Sequence, residues 1–409
     1  MGEHIGIIVE EMLIDRTQFH FVERKEMGAL YATLALLYFG EGLVSIFVPI
    51  MLWKYGFSLS HIFLFYALNS IYFLILTFAF LPAFTRLSDK MMMFLSVPAL
   101  ILYFLGLRFV VMVPVLFYIL PLVLAVNMLL FNVGYNLDFA KAAEEGKIGR
   151  EIGMRDTIAS LVQFGAPVLG GVLITTIGFQ NTFFIASAIL ILAIFPLFSF
   201  PHRHLSSELK RVQIVTYLGK SSLAFFNLSG MGYAMEVVIR GIVWPFFIFL
   251  TLDSIVDLGG IISIGLFASA IVTIFVGYLS DSGRQRTILA WATGIYAFIY
   301  LVRTFISEPM TLTVSHVTGG IVYAALMVAW TSQFYKITRA VPDPSLFILS
   351  RQVLYHVARI IFLGLLIFLA YILSAQDFFT AVFGLTAIVV LFFLFANKFD
   401  LHTFIKETT

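Results

Sequence analysis

Apolar residues dominate the chain in long runs separated by short polar breaks, and the runs are the length of helices that cross a bilayer. A hydrocarbon core of about 30 Å needs ~20 helical residues. Runs of that length fall near 28–53, 60–84, 91–107, 113–139, 156–178, 180–200, 218–251, 257–279, 286–305, 309–336, 345–373 and 376–397. The pattern therefore predicts twelve membrane helices. The longest break, "FPHRHLSSELKRVQIVT", divides them six and six. The expected organisation is a cytosolic amphipathic lead-in at 1–27, a six-helix bundle at 28–200, a cytosolic linker at 201–217, a second six-helix bundle at 218–397 and a cytosolic tail at 398–409. The lead-in lacks a basic start, and Glu3, Glu10, Glu11 and Asp15 interrupt its apolar runs, so it does not read as a signal peptide.

Composition agrees with the pattern. Of 409 residues 61% are hydrophobic and 12% charged, and mean hydropathy is +1.00, against the roughly 25% charged of soluble domains. The net charge of +2, without a basic block, argues against a nucleic-acid partner. The absence of Cys removes thiol chemistry and Cys-based metal sites. No phosphate-binding loop, His-Glu-x-x-His or Gly-x-Ser-x-Gly is present, so no enzyme, cofactor or metal is expected. With both termini inside, only Lys54, Arg108 and Arg303 of the 25 basic residues fall in outward loops, and Arg240 and Arg359 lie within spans. That asymmetry orients both ends toward the cytosol of a plasma or inner membrane.

Sliding the chain over itself by about 195 residues aligns its halves. Glu41 meets Glu236, Pro49 meets Pro245, "RLSDK" meets "YLSDS", "VGYNLDFAK" meets "VAWTSQFYK", Arg155 meets Arg351, and Gln180-Asn181 meets Gln376-Asp377. Six matches in order imply two homologous bundles related by an axis along the membrane normal.

The short loops after the second helix of each half carry a resemblance. "GYLSDSGRQR", Gly277 to Arg286, has the Gly-x-x-x-Asp-then-Arg pattern of the major facilitator superfamily, and the first half holds the shorter copy "AFTRLSDKMMM". "FGAPVLGG", Phe164 to Gly171, resembles the family's antiporter motif, with Ala166 in place of its first Gly. The resemblance implies an all-α polytopic fold of twelve helices in two pseudo-symmetric bundles, rocking about a midplane site. It implies that Asp89 and Asp281, with Arg284 and Arg286 as partners, lock the cytosolic side, and it leans the direction of transport toward export.

Charges inside the spans are the candidate chemistry. "YAMEVVIRGIVWP" sets Glu236 and Arg240 one turn apart within an apolar run, where each charge costs roughly 2.5–3.5 kcal/mol. Pairing lowers that cost, but two apolar residues would cost less still. Glu41 and Glu236 are the proton-coupling candidates, both expected to face a central cavity. Arg240 and Arg359 are candidates for an anionic group, and Gln163 occupies the position equivalent to Arg359. Asn132, Asn136, Tyr323 and Trp330 complete the substrate candidates, with His316 read as packing. Fixed salt bridges that hold the bundle are the rival account of all these charges.

These readings point to a monomeric secondary transporter in the lipid bilayer. It is expected to move a small organic solute by alternating access, coupled to protons, with Na+ in their place as the alternative. A uniporter or lipid-like flippase with structural charge pairs, and a non-transporting sensor or scaffold, are the alternatives.

Overall fold

The computed structural model describes residue 28 and residues 31–81, 87–142, 147–196, 211–400 and 403–404, with the backbone alone at 141 and 142. The lead-in 1–27, Arg86, linker residues 201–210 and much of the tail lie outside the described residues.

All regular elements among the described residues are helical. Ten stretches are long and apolar enough to cross a membrane. Two of them, Ile148–Leu192 and Ile255–Arg303, run to 45 and 49 residues, about twice what a 30 Å core needs. Each is divided by a glycine in the left-handed region, Gly178 at φ 83° and Gly283 at φ 85°, where a side chain would be strained. Twelve spans result: α1 (Tyr31–Lys54), α2 (Leu59–Ala79), α3 (Asp89–Leu107), α4 (Leu116–Ala142), α5 (148–177), α6 (179–192), α7 (Ser221–Leu252), α8 (Ile255–Leu279), α9 (Gln285–Arg303), α10 (Pro309–Ala340), α11 (Pro344–Ile372) and α12 (Ala375–Lys398). An even number of spans puts both ends of the array on one side, here called the terminal face.

Local sequence explains several starts. Ser58, Ser88, Ser254 and Ser374 each accept the backbone N–H three residues on, capping α2, α3, α8 and α12, and Asp343 caps α11 in the same way. Ser58 and Ser254 occupy equivalent places in the two halves. Some helices outrun their apolar cores. The expected span from 156 begins instead at Ile148, because the polar stretch "GREIGMRD" is helical beyond the apolar run. Part of the expected linker is also helical: Arg211–Leu218 buries Ile214 and Tyr217 and packs on α11.

The halves form two six-helix bundles that meet mainly along α5 with α8 and α2 with α11. The sequence repeat exchanges α2 with α8 and α5 with α11, so these two seams are copies of one contact. Small residues bring the α5–α8 backbones together. A Cβ on Gly277 would stand 2.7 Å from the Gly149 carbonyl oxygen, and one on Gly259 would stand 2.3 Å from that of Pro167. Between those crossings the Thr157 and Thr273 hydroxyls bond at 2.5 Å. In the other seam the Phe73 ring stacks on His356 at 3.7 Å.

Gly259→Val is therefore expected to destabilise the protein by roughly 1–3 kcal/mol through overpacking. Thermal unfolding in detergent checks this, with Gly260→Ala, which has nothing within 4 Å of its new Cβ, as the unaffected comparison.

Candidate functional site

α1 and α7 are broken at matching places, and prolines account for the breaks. Pro49 and Pro245 sit in the first turn of the helical segments Val48–Lys54 and Trp244–Leu252. A proline has no N–H and crowds the carbonyl four residues back, here that of Ser45 and of Gly241. In α1 the chain passes through a 3-10 turn at Ser45–Phe47, and in α7 through a π-turn at Ile239–Val243. Such irregular turns inside helices concentrate at functional sites. Ser45 and Gly241 both line a cavity of about 670 Å³ between the bundles, within the range of small-molecule sites.

Of the sequence candidates, Glu41, Gln163, Arg240, Tyr323 and Arg359 line this cavity. Glu41 is partly exposed, and its carboxylate has no ion pair or hydrogen bond among the described residues. Arg240 is 44% exposed; its Nε stands 3.6 Å from Glu236 Oε2, an ion pair beyond hydrogen-bond length, and its guanidinium lies over the Tyr323 ring at 4.6 Å. Arg359 is half-buried, and its Nε has no partner. Neighbouring polar groups are satisfied by backbone: Asn69 bonds the Pro121 carbonyl and Asn127 that of Ser96.

Glu236 departs from expectation. The repeat axis should carry both carboxylates to the cavity, but Glu236 is fully buried inside the second bundle and does not line it. The Tyr296 hydroxyl donates to its Oε1 at 2.8 Å, and Tyr300 adjoins Tyr296. One turn on, Arg240 reaches the cavity and meets Glu236 from that side. The helix turns its carboxylate toward α9 and its guanidinium toward the open volume.

Asn132, Asn136 and Trp330 are not in the central cavity either. They line a second cavity of about 200 Å³, nearer the terminal face, with Tyr233, Gln352 and Tyr355. Its residues are mutually engaged: the Trp330 indole donates to Ser229 Oγ at 2.7 Å, and Tyr335 donates to Asn136 Oδ1 at 2.8 Å across the bundles. Gln333, on the same helix as Trp330, points away and donates to the Ala396 carbonyl.

The bundles touch toward both faces. Opposite the terminal face, Trp53 of α1 packs edge-on against Phe246 of α7 at 5.4 Å. At the terminal face, Asp281 accepts the backbone N–H groups of Gly149 and Arg150, both at 2.8 Å. The N-cap position of α5 is Lys147, whose side chain makes no cap. Asp281 thus supplies from the second bundle the anionic cap that α5 lacks. Of the expected side-chain partners, Arg284 and Arg286 are exposed; the Arg150 guanidinium stacks on Tyr278 at 4.3 Å. Asp89 is buried at the start of α3 and accepts the Lys90 N–H. Gly170 and Gly171 of "FGAPVLGG" are crossing points, where a Cβ would meet the Leu43 and Ile255 carbonyl oxygens at 2.0 and 2.8 Å.

Two arginines outside the candidate set are buried. Arg303, assigned to an outward loop, is buried at the end of α9; it lies 3.7 Å from the Trp244 ring centre and bonds Ser315. Trp244 in turn donates to His316 Nδ1 at 2.9 Å, so His316 is a packing group that also borders the cavity. Arg351 is fully buried and bonds Asn227. The spacing of Tyr296, Tyr300 and Arg303 along one face of α9 was the available signal.

Asp281→Ala is expected to cost the α5–α8 closure about 1 kcal/mol, the value of a helix cap. Faster maleimide labelling of Thr157→Cys, otherwise buried in that seam, measures it in a chain that has no other Cys.

No family model and no curated protein sequence matches the chain. Solved structures do. The E. coli fucose:proton symporter FucP, as a single-residue variant, superposes with a TM-score of 0.68 at 13% identity, over 93% of this chain and 99% of its own. The human organic anion transporter MFSD10 superposes with a TM-score of 0.65 at 12% identity, over 91% and 99%. With its paired seams, broken first helices and capped loop, this multi-pass membrane protein has the fold of the major facilitator superfamily.

Proposed function

We propose that the chain is a secondary transporter that moves a small organic solute by alternating access and couples the movement to protons carried by Glu41. The observation that carries this reading is the unpaired carboxylate of Glu41, at the break of α1 and facing the cavity between the bundles. Uncompensated ionisable groups in a membrane interior mark ion or proton pathways. The fold supplies the rest: a midplane site between two bodies, with closing contacts at both faces that must alternate. Asp281 and the α5 amides form the terminal-side latch, and the Trp53–Phe246 contact forms the opposite one. The solved neighbours named above are both transporters, in keeping with this reading. The basic terminal face supports the reading that both ends lie in the cytosol of a plasma or inner membrane. Glu236, enclosed by Tyr296 and Arg240, holds the second bundle together rather than carrying protons.

The test is solute-driven proton flux in proteoliposomes with an internal pH dye, in Na+-free buffer. Glu41→Gln is expected to reduce flux to the level of empty liposomes, and Glu236→Gln to lower stability before it lowers coupling. Undiminished proton flux in a folded Glu41→Gln protein would refute the assignment.

A further inference from the structure

The two bundles place opposite charges on the walls of the central cavity, and the repeat shows how. Glu41, Ser45 and Gln163 on the first bundle correspond to Glu236, Arg240 and Arg359 on the second. All but Glu236 line the cavity. In the second bundle Glu236 is neutralised by Arg240; in the first bundle Ser45 stands where that arginine would be, which leaves Glu41 alone. Gln163 is neutral where Arg359 is charged, which leaves Arg359 alone, with its Nε unpartnered. One wall carries a single negative charge and the other a single positive one.

The remaining titratable groups do not alter this balance. From α2, α3 and α10 the cavity receives the neutral Tyr66, Tyr103 and Tyr323, and His316 accepts from Trp244. Asp156 of α5 is paired with Arg155 at 2.7 Å. Against α1 itself lie Leu190 beside Gly40, and Ala166 with Gln163 beside Gly42, none of them charged. The body of the cavity is apolar, walled by Phe104, Leu124, Met128, Leu266 and Leu363.

We infer that the central cavity takes a singly charged organic anion with an apolar body, its anionic group on Arg359, and takes it together with one proton on Glu41. This rests on the transport reading above and adds substrate class and sign. With Glu41 ionised the walls cancel, and an added anion leaves the site with one uncompensated negative charge. With Glu41 protonated, the site carries one positive charge, and the anion completes it. Each ligand strengthens binding of the other to the same degree. The pair then crosses as a neutral unit, in one direction, which is symport and runs against the export lean of "FGAPVLGG".

The experiment uses purified full-length protein and isothermal titration with octanoate, benzoate, octylammonium and octan-1-ol, in buffers of different ionisation enthalpy. Expected are binding of the two carboxylates alone, uptake of one proton per ligand, and loss of that uptake in Glu41→Gln. Arg359→Gln is expected to weaken the carboxylates by roughly 10- to 100-fold, the worth of a charge-assisted hydrogen bond, and Arg359→Lys to recover part of it. Cooperative thermal unfolding without ligand confirms that each variant is folded. Preference for octylammonium or octan-1-ol, or unchanged carboxylate binding in folded Arg359→Gln, overturns the anion site. Carboxylate binding without proton uptake overturns the paired proton. The same ligands in proteoliposomes separate the two readings. Proton-coupled flux of neutral or cationic solutes with no carboxylate binding sinks this inference and leaves transport standing. Proton-linked carboxylate binding without flux upholds the site and sinks transport.

Discussion

A charge inside a hydrocarbon layer must find a counter-charge, a dense shell of dipoles, or a task. That constraint arranges much of this structure. Arg303 meets it with aromatic faces and a serine, Arg155 with the adjacent Asp156, and Glu236 with a tyrosine hydroxyl and a guanidinium one turn away. The Arg303 and Glu236 solutions tie helices together within a bundle, while the Arg155–Asp156 pair lies within α5. Among the described residues that line the central cavity, Glu41 and Arg359 lack such a solution. Satisfied charges thus hold the bundles, and on the proposed function the unsatisfied ones mark where the bundles face a ligand.

The seams between the bodies obey a different rule. Lipid offers helices no hydrophobic drive to associate, so close approach and backbone contact decide where they meet. Glycines at the α5–α8 crossings allow carbonyl oxygens to approach positions that any side chain would fill. The α2–α11 seam, its symmetry mate, uses ring stacking of Phe73 on His356. One architecture, duplicated, has come to be held by two different kinds of contact.

Much of this was legible in the sequence, because hydropathy and the internal repeat report length and order directly. Twelve spans, the six-and-six division and the pairing of Glu41 with Glu236 follow from them. Rotation about the helix axis is what they do not report. These helices are apolar on nearly every side, so no stripe tells which face looks inward, and Glu236 was placed in the cavity when its carboxylate turns to α9. Depth misled as well: Asn132, Asn136 and Trp330 lie a layer nearer the terminal face than Tyr323, in a separate cavity. Arg303 looked like a loop residue because its partners, Trp244 and Ser315, come from other helices. The terminal-face contact of Asp281 is with backbone amides, which no side-chain motif can reveal.

That last contact bears on more than closure. The first turn of α5 has no cap of its own, and its leading amides are held by a residue of the opposite domain. On the rocking movement proposed above, those amides would lose their acceptor and the turn would be free to fray. α11, capped by its own Asp343, would keep its first turn through the same movement. The proposed rocking would thereby be joined, on one side only, to a small order–disorder change in a helix end.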